Sequence, residues 1–304
     1  MSTAAVGSRC RGRFAPSPTG PLHFGSLVAA LGSFADARSG AGEWLVRIED
    51  LDRTREVPGA ADGMLRTLEA FGLHWDGPVL YQRLRTDAYA AALERLVAQG
   101  LCYPCGCTRR EIALRARPGL EGPIYPGTCR NGLPPGRAAR SVRLRTTHAS
   151  IRFADAILGP QTQDVAEVVG DFVLRRADGI HAYQLAVVVD DAEQGITNVV
   201  RGADLLASTP RQILLQRHLG LPKPVYAHLP LALGADGRKL SKSLAALPVD
   251  AARPLPALLA AWRFLGQEAP PEPCKDVASF WAWALPNWQR HLVPSQGLNV
   301  TVLI

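Results

Sequence analysis

The chain has 304 residues, 47% hydrophobic and 20% charged, a composition that excludes a disordered or acidic solvating protein and suggests about two domains. Six cysteines are too few for a disulfide-built secreted scaffold. A formal net charge of +7 favours a polyanionic partner, either nucleic acid or a phosphorylated ligand. Lysine occurs only at Lys223, Lys239, Lys242 and Lys275, and the other basic residues are arginines, whose planar fork suits phosphate and carboxylate. The longest apolar runs, such as residues 185–189, are too short to span a bilayer. Residues 1–13 hold no continuous apolar block of the kind a secretory signal needs. A cytoplasmic, soluble protein with no membrane partner is therefore expected.

In chain order, residues 12–15 read as a short strand leading into a turn-rich loop at 16–21. Across 24–37 the apolar residues Leu27, Val28, Leu31 and Phe34 recur at helical spacing. Residues 43–48 (EWLVRI) predict a second strand, ending at the acidic cluster Glu49, Asp50 and Asp52, and 60–71 and 87–99 predict amphipathic helices. Alternating strand and helix imply an α/β fold with a parallel sheet. Around Gly100 the character changes: 100–140 are crowded with Cys, Gly, Pro and Arg. Strand-like runs follow at 141–145, 151–154 and 172–175, and Asp178-Gly179 predicts a turn before the apolar run 181–189. Residues 100–180 thus read as an inserted domain, with 8–99 plus 181–247 as the core and the sheet resuming near Leu185. A helix is expected at 210–219, a proline-broken helical region at 248–293, and an irregular tail at 294–304.

Two segments suit phosphate. Residues 13–26 (RFAPSPTGPLHFGS) join a strand to a helix, and a helix amino terminus offers unpaired N–H groups to an anion. His23 there can donate to phosphate, and Gly25 admits a flat base close to the backbone. Farther on, a glycine-rich turn at 234–237 precedes Arg238, Lys239, Leu240, Ser241, Lys242 and Ser243. This places two of only four lysines where they could neutralise charge on a departing pyrophosphate.

Cys102, Cys105, Cys107 and Cys129 fall within 28 positions, leaving Cys10 and Cys274 isolated. In a cytoplasmic protein this reads as a metal site before a disulfide. Cys105-x-Cys107 is tighter than the usual knuckle, and no histidine lies between it and Cys129. Cys102 could supply the fourth ligand.

Together these segments resemble the signature motifs of class I aminoacyl-tRNA synthetases: His23-Phe24-Gly25-Ser26 stands where the family has HIGH, and residues 239–243 where it has KMSKS. The glutamyl branch is indicated by residues 13–26, by RIEDLDRTR at 47–55, by GLHWDGP at 72–78 and by VVRGADLLASTPRQ at 199–212. The resemblance runs from about residue 11 to 243. Only 61 residues follow Ser243, where the glutamyl enzymes continue into an anticodon-binding domain, and a short core of this kind is similar to the glutamyl-Q tRNA(Asp) synthetases.

That resemblance implies a Rossmann-type core binding ATP and glutamate, an inserted acceptor-binding domain with a structural zinc, and a stem-contact-like helical region at 248–293. It implies a monomeric, AMP-forming ligase that makes glutamyl-adenylate from L-glutamate and ATP with Mg²⁺, then transfers glutamate to queuosine in the anticodon of tRNA(Asp). The alternatives are a truncated glutamyl-tRNA synthetase charging the 3′ end of tRNA(Glu), a non-catalytic RNA-binding relative, or a small-molecule ligase. His23, Lys239 and Lys242 are the expected catalytic residues, with His23, Gly25, Ser26 and Lys242 on ATP. For glutamate, Arg13 and Arg201 can clamp carboxylates bidentately, and Glu49, past the second strand, can take the ammonium. The resemblance adds Ser17 and Tyr183 through their hydroxyls, with Phe14, Ala15 and Pro16 around them. Through CGCTR at 105–109 and IYPGTCR at 124–130 it implies Cys105, Cys107, Tyr125 and Cys129 as the zinc ligands.

Overall fold

The computed structural model describes residues 9–233 and 248–299. Parallel pairing begins with β1 (Arg11–Phe14), which follows β2 (Glu43–Ile48) from Arg11↔Glu43 to Phe14↔Val46. The helix between them, α1 (Phe24–Ser39), makes the crossover, and α2 (Ala60–Ala70) leads from β2 to β3 (Leu80–Tyr81), again parallel. Next come α3 (Thr86–Ala98), β4 (Cys102–Cys105), α4 (Arg109–Ala113), and the short pair β5 (Pro118–Gly119) and β6 (Gly122–Pro123). The strands β7 (Ser141–Leu144), β8 (Ser150–Asp155) and β9 (Gly159–Asp164), the short helix α5 (Val165–Val168) and β10 (Val173–Arg175) complete the middle of the chain. The core returns with α6 (Tyr183–Glu193), β11 (Asn198–Gly202), α7 (Thr209–Leu219), β12 (Val225–Leu229) and β13 (Ala232–Leu233). Last are α8 (Pro254–Phe264), α9 (Val277–Ala284) and β14 (Leu298–Asn299).

β11 and β12 are parallel along their whole length, from Asn198↔Val225 to Gly202↔Leu229. The two halves of the sheet meet where the Thr197 N–H donates to the Arg11 carbonyl at 3.0 Å and the Arg11 N–H donates to Thr197 Oγ1 at 2.8 Å. Side chains alternate across the strands. Val199 and Tyr226 face a core made with α3, α6 and α7, while Val200, Ala227 and Leu229 face the core around α1 and the carboxyl-terminal helices. Helices therefore cover both faces of a parallel sheet, the doubly wound α/β arrangement. Gly32 allows α1 to lie close, since a Cβ there would meet Leu229 Cδ1 at 2.7 Å.

Three elements differ from the sequence reading. The run at 181–189 forms the helix α6, and the sheet resumes only at β11. Leu185, Ala186, Val187 and Val188 are all buried, so the helix lacks the apolar and polar faces that would distinguish it from a buried strand. Within the stretch read as the insert, β8 pairs with β12 in parallel at Tyr226↔Asp155, so the β8–β9 hairpin extends the core sheet. β4, β7 and β10 form a separate antiparallel sheet. At the carboxyl end, β14 pairs with β13 within the region expected to be irregular; residues 300–304 lie outside the described residues.

The carboxyl-terminal helices are tied to the core by aromatic packing and polar contacts. Trp262, Phe264, Phe280 and Trp281 are buried with Phe34 and Trp44. Trp281 Nε1 donates to the Phe71 carbonyl at 2.8 Å, and Arg290 grips the buried Asp36 at 2.6 and 2.8 Å. Among the described residues no helix is long and apolar enough to cross a membrane.

Candidate active site

A cavity of about 810 Å³ opens at the carboxyl ends of β1, β2 and β11, where open α/β sheets bind ligands. Arg13, Phe14, Ala15, Pro16, Ser17, His23, Gly25, Ser26, Glu49, Tyr183 and Arg201 all line it. These are all the residues expected to bind ATP or glutamate that fall within the described part of the chain.

His23 is the amino-terminal cap of α1. Its Nδ1 accepts the Ser26 N–H at 3.2 Å, and its Nε2 lies 3.1 Å from Ser26 Oγ. A Cβ on Gly25 would meet the His23 ring at 3.2 Å, so glycine keeps the loop compact beside the helix amino terminus. Lys239 and Lys242 lie outside the described residues. On the near side of that stretch Ala232 lines the cavity, and on the far side Pro248 bridges His23 and the Val249 N–H donates to the Leu22 carbonyl at 2.9 Å. The described residues on either side of 234–247 thus lie at the cavity wall and beside His23.

The charged floor is more elaborate than the sequence reading. Arg13, 3% exposed, donates from Nε to Asp191 Oδ1 at 3.1 Å, so part of its fork is already engaged. Arg47, fully buried, donates to Asp191 at 2.5 Å and to Gln194 at 2.8 Å, with its Nε 3.8 Å from Glu49 Oε1. Burial pushes the Glu49 carboxyl up to about 7, against the pull of Arg47 and Arg13. Burial raises the Asp191 carboxyl in the same way, yet Arg13 and Arg47 outweigh it and hold Asp191 below its ordinary range.

Arg201, 5% exposed at the end of β11, has a different environment. It donates to Tyr183 Oη at 3.4 Å, to Thr209 Oγ1 and Gln212 Oε1 at 2.8 Å, and to His228 Nε2 at 3.1 Å. None of these partners is a carboxylate, so its positive charge is available to an anionic ligand. Arg47, Asp191, His228 and Asp155 were not singled out from sequence. The available signals were weak: a lone Arg in EWLVRI, an acid pair closing the run 185–189, and a lone His in VYAHL.

In the Cys-rich module, Cys105, Cys107 and Cys129 bring their sulfurs within 4.8 Å of one another. Tyr125 joins them, with its hydroxyl 3.3 Å from Cys105 Sγ and 3.5 Å from Cys107 Sγ. Cys107 and Cys129 Sγ are 3.7 Å apart, close to the sulfur–sulfur edge of a tetrahedron with bonds of about 2.3 Å. The donor set therefore fits a thiophilic metal. Cys102 packs instead against the core beside α3, where burial pushes its thiol up to about 12.

The catalytic-domain family of class I tRNA synthetases (E and Q) matches residues 9–252. A glutamyl-Q tRNA(Asp) synthetase from Dechloromonas aromatica is 58% identical over 296 residues, covering 96% of this chain and 98% of its own. One from Chromobacterium violaceum is 56% identical, covering 95% and 97%. Among solved structures, a glutamate tRNA ligase from Elizabethkingia meningosepticum, crystallised with its amino acid, superposes with a TM-score of 0.79 at 25% identity, covering 96% of this chain and 67% of that one. With identity above half over nearly the full length and a family model that matches residues 9–252, the chain belongs to the glutamyl-Q tRNA(Asp) synthetase family within the class I tRNA synthetases.

Proposed function

We propose that this ligase activates L-glutamate with ATP, supplied as its Mg²⁺ complex, and transfers the glutamyl group to queuosine in the anticodon of tRNA(Asp). The observation that carries the reading is the pairing, in one cavity, of an acid at Glu49 with the buried, carboxylate-free guanidinium of Arg201. Glutamate carries one ammonium and two carboxylates, which this pair and Arg13 complement. The names of the relatives support the same acceptor.

In the first step an oxygen of the α-carboxylate attacks the α-phosphorus of ATP, and pyrophosphate leaves. Glu49 holds the ammonium, Arg201 and Tyr183 hold a carboxylate, and Ser17 adds a hydroxyl hydrogen bond. Phe14, Ala15 and Pro16 shape the wall. His23, with Gly25 and Ser26 at the α1 amino terminus, steadies the phosphates, and Lys239 and Lys242 neutralise the charge that builds on the leaving pyrophosphate. In the second step a hydroxyl of the queuosine ring attacks the acyl carbon and AMP departs.

Residues 8–99 plus 181–247, joined by the β8–β9 hairpin, would form the catalytic core, the rest of 100–180 the acceptor-binding insert, and 248–293 the stem-contact-like region of a cytoplasmic monomer. Cys105, Cys107, Tyr125 and Cys129 would hold a structural Zn²⁺, which braces a segment too rich in Gly and Pro to pack by itself. The test supplies labelled glutamate and ATP with tRNA(Asp) carrying or lacking queuosine, and with tRNA(Glu). Label is expected only on queuosine-containing tRNA(Asp), and it should survive removal of the 3′ end. Label on the terminal ribose of tRNA(Glu) would instead support 3′-end charging.

A further inference from the structure

Arg201 is held from behind by a buried acid–imidazole pair that the chemistry above does not use. His228, on β12 and without exposure, has Nδ1 2.6 Å from Asp155 Oδ2 and Nε2 3.1 Å from Arg201 Nε. A guanidinium Nε–H can only donate, so His228 Nε2 carries the lone pair and Nδ1 the proton. Asp155 enforces that tautomer. Its Oδ1 accepts the backbone N–H groups of Ile157, Leu158 and His228 at 3.0, 2.9 and 3.2 Å, which leaves Oδ2 facing the ring. Thr209 Oγ1 also lies 3.2 Å from His228 Nε2, closing the arrangement around the guanidinium.

The contrast with the other buried arginines is informative. Arg13 and Arg47 are bonded directly to Asp191, whose charge offsets theirs. At Arg201 an imidazole separates the guanidinium from Asp155, so the acid orients the chain of bonds without bonding to the arginine. We propose that Asp155 and His228 are positioning residues, setting the plane of Arg201 toward the substrate carboxylate while leaving its charge free. The inference rests on Arg201 being the carboxylate-binding group of the reaction described above. It also gives the β8–β9 hairpin, added at the sheet edge, a direct connection to the amino-acid pocket.

The test is Asp155→Asn. The three backbone N–H groups hold the new amide oxygen in the Oδ1 position, so the NH₂ faces His228 Nδ1 and drives the ring to its Nε2–H form. That sets one N–H against another at Arg201 Nε, as when a triad aspartate is replaced by asparagine. The expected result is a KM for glutamate raised about 10- to 100-fold, matching the loss of a hydrogen bond at a charged group. The KM for ATP should stay within about twofold and kcat at saturating glutamate within a few-fold. A merely structural role would lower the Tm and kcat and leave the glutamate KM alone. His228→Gln, whose amide oxygen can reach the Nε2 position, should retain most glutamate affinity, and His228→Leu should not.

Nitrogen-15 spectra of histidine-labelled wild-type protein, assigned against His228→Gln, should show a neutral Nδ1–H ring at position 228, which decides the matter even if Asp155→Asn fails to fold. An Nε2–H ring in the wild type, or a glutamate KM in Asp155→Asn within twofold of wild type, overturns the inference while leaving the pocket reading intact. A wild-type protein that binds no glutamate overturns both.

Discussion

Glu49 combines a stability cost with a binding role, and the two can be separated by pH. Its side chain is 11% exposed, and burial, only partly offset by Arg47 and Arg13, moves its carboxyl from 4.5 to about 7. The folded state therefore holds a proton on Glu49 that the unfolded chain releases near 4.5. The cost of the ionised carboxylate is absent at low pH, grows from about pH 4.5 and is complete above about pH 7. At 1.36 kcal/mol per pH unit, the penalty grows by about 2.5 kcal/mol between pH 5 and pH 8. Glu49→Gln cannot ionise, so urea unfolding of the two proteins should show the variant gaining about that much over wild type between those pH values. The same variant should lose about 10- to 100-fold in glutamate affinity, because the ammonium loses its charged partner. In wild type, calorimetric glutamate affinity should fall as the pH drops below about 7, as Glu49 takes up its proton. A stability difference that stays constant with pH, or glutamate affinity that is flat from pH 5.5 to 8, would refute the assignment of Glu49 as the buried ammonium acceptor.

Lys242→Ala should slow glutamyl-adenylate formation by orders of magnitude in single-turnover measurement of pyrophosphate release, with glutamate affinity nearly unchanged. An unaltered rate would remove residues 239–243 from the mechanism. Elemental analysis should find about one zinc per chain. Cys102→Ser should keep the metal and Cys107→Ser should lose it, because Cys102 packs against the hydrophobic core beside α3 while Cys107 faces Tyr125 and Cys129. Metal-free protein with all six thiols open to titration would exclude the site.

The parallel core was legible where periodicity and turn chemistry agreed. The strand at 43–48 emerged with the bounds of β2, and the helix read at 24–37 is α1 with two more residues. The sequence of α6 resembles that of a buried strand because the helix is buried on several sides, which erases the periodic contrast between apolar and polar faces. The β8–β9 hairpin lies in sequence within the insert, and its local sequence carries no record of the strand β12 with which it pairs.

The site divides along the same line. Residue types and their order along the chain determined the family motifs, the candidate phosphate loop and the thiol cluster, since each is carried by a few positions close together. Only the folded chain brought Glu49, Tyr183 and Arg201 to one cavity, carried the Tyr125 hydroxyl that the resemblance implied to within 3.3 Å of Cys105 Sγ, and set His228 between Asp155 and Arg201. Tyr183 and Arg201 are 18 residues apart and Asp155 and His228 are 73, while Glu49 is 134 residues from Tyr183. What relates them is strand pairing and burial, and these fix distance, hydrogen-bond direction and charge only once the sheet has formed.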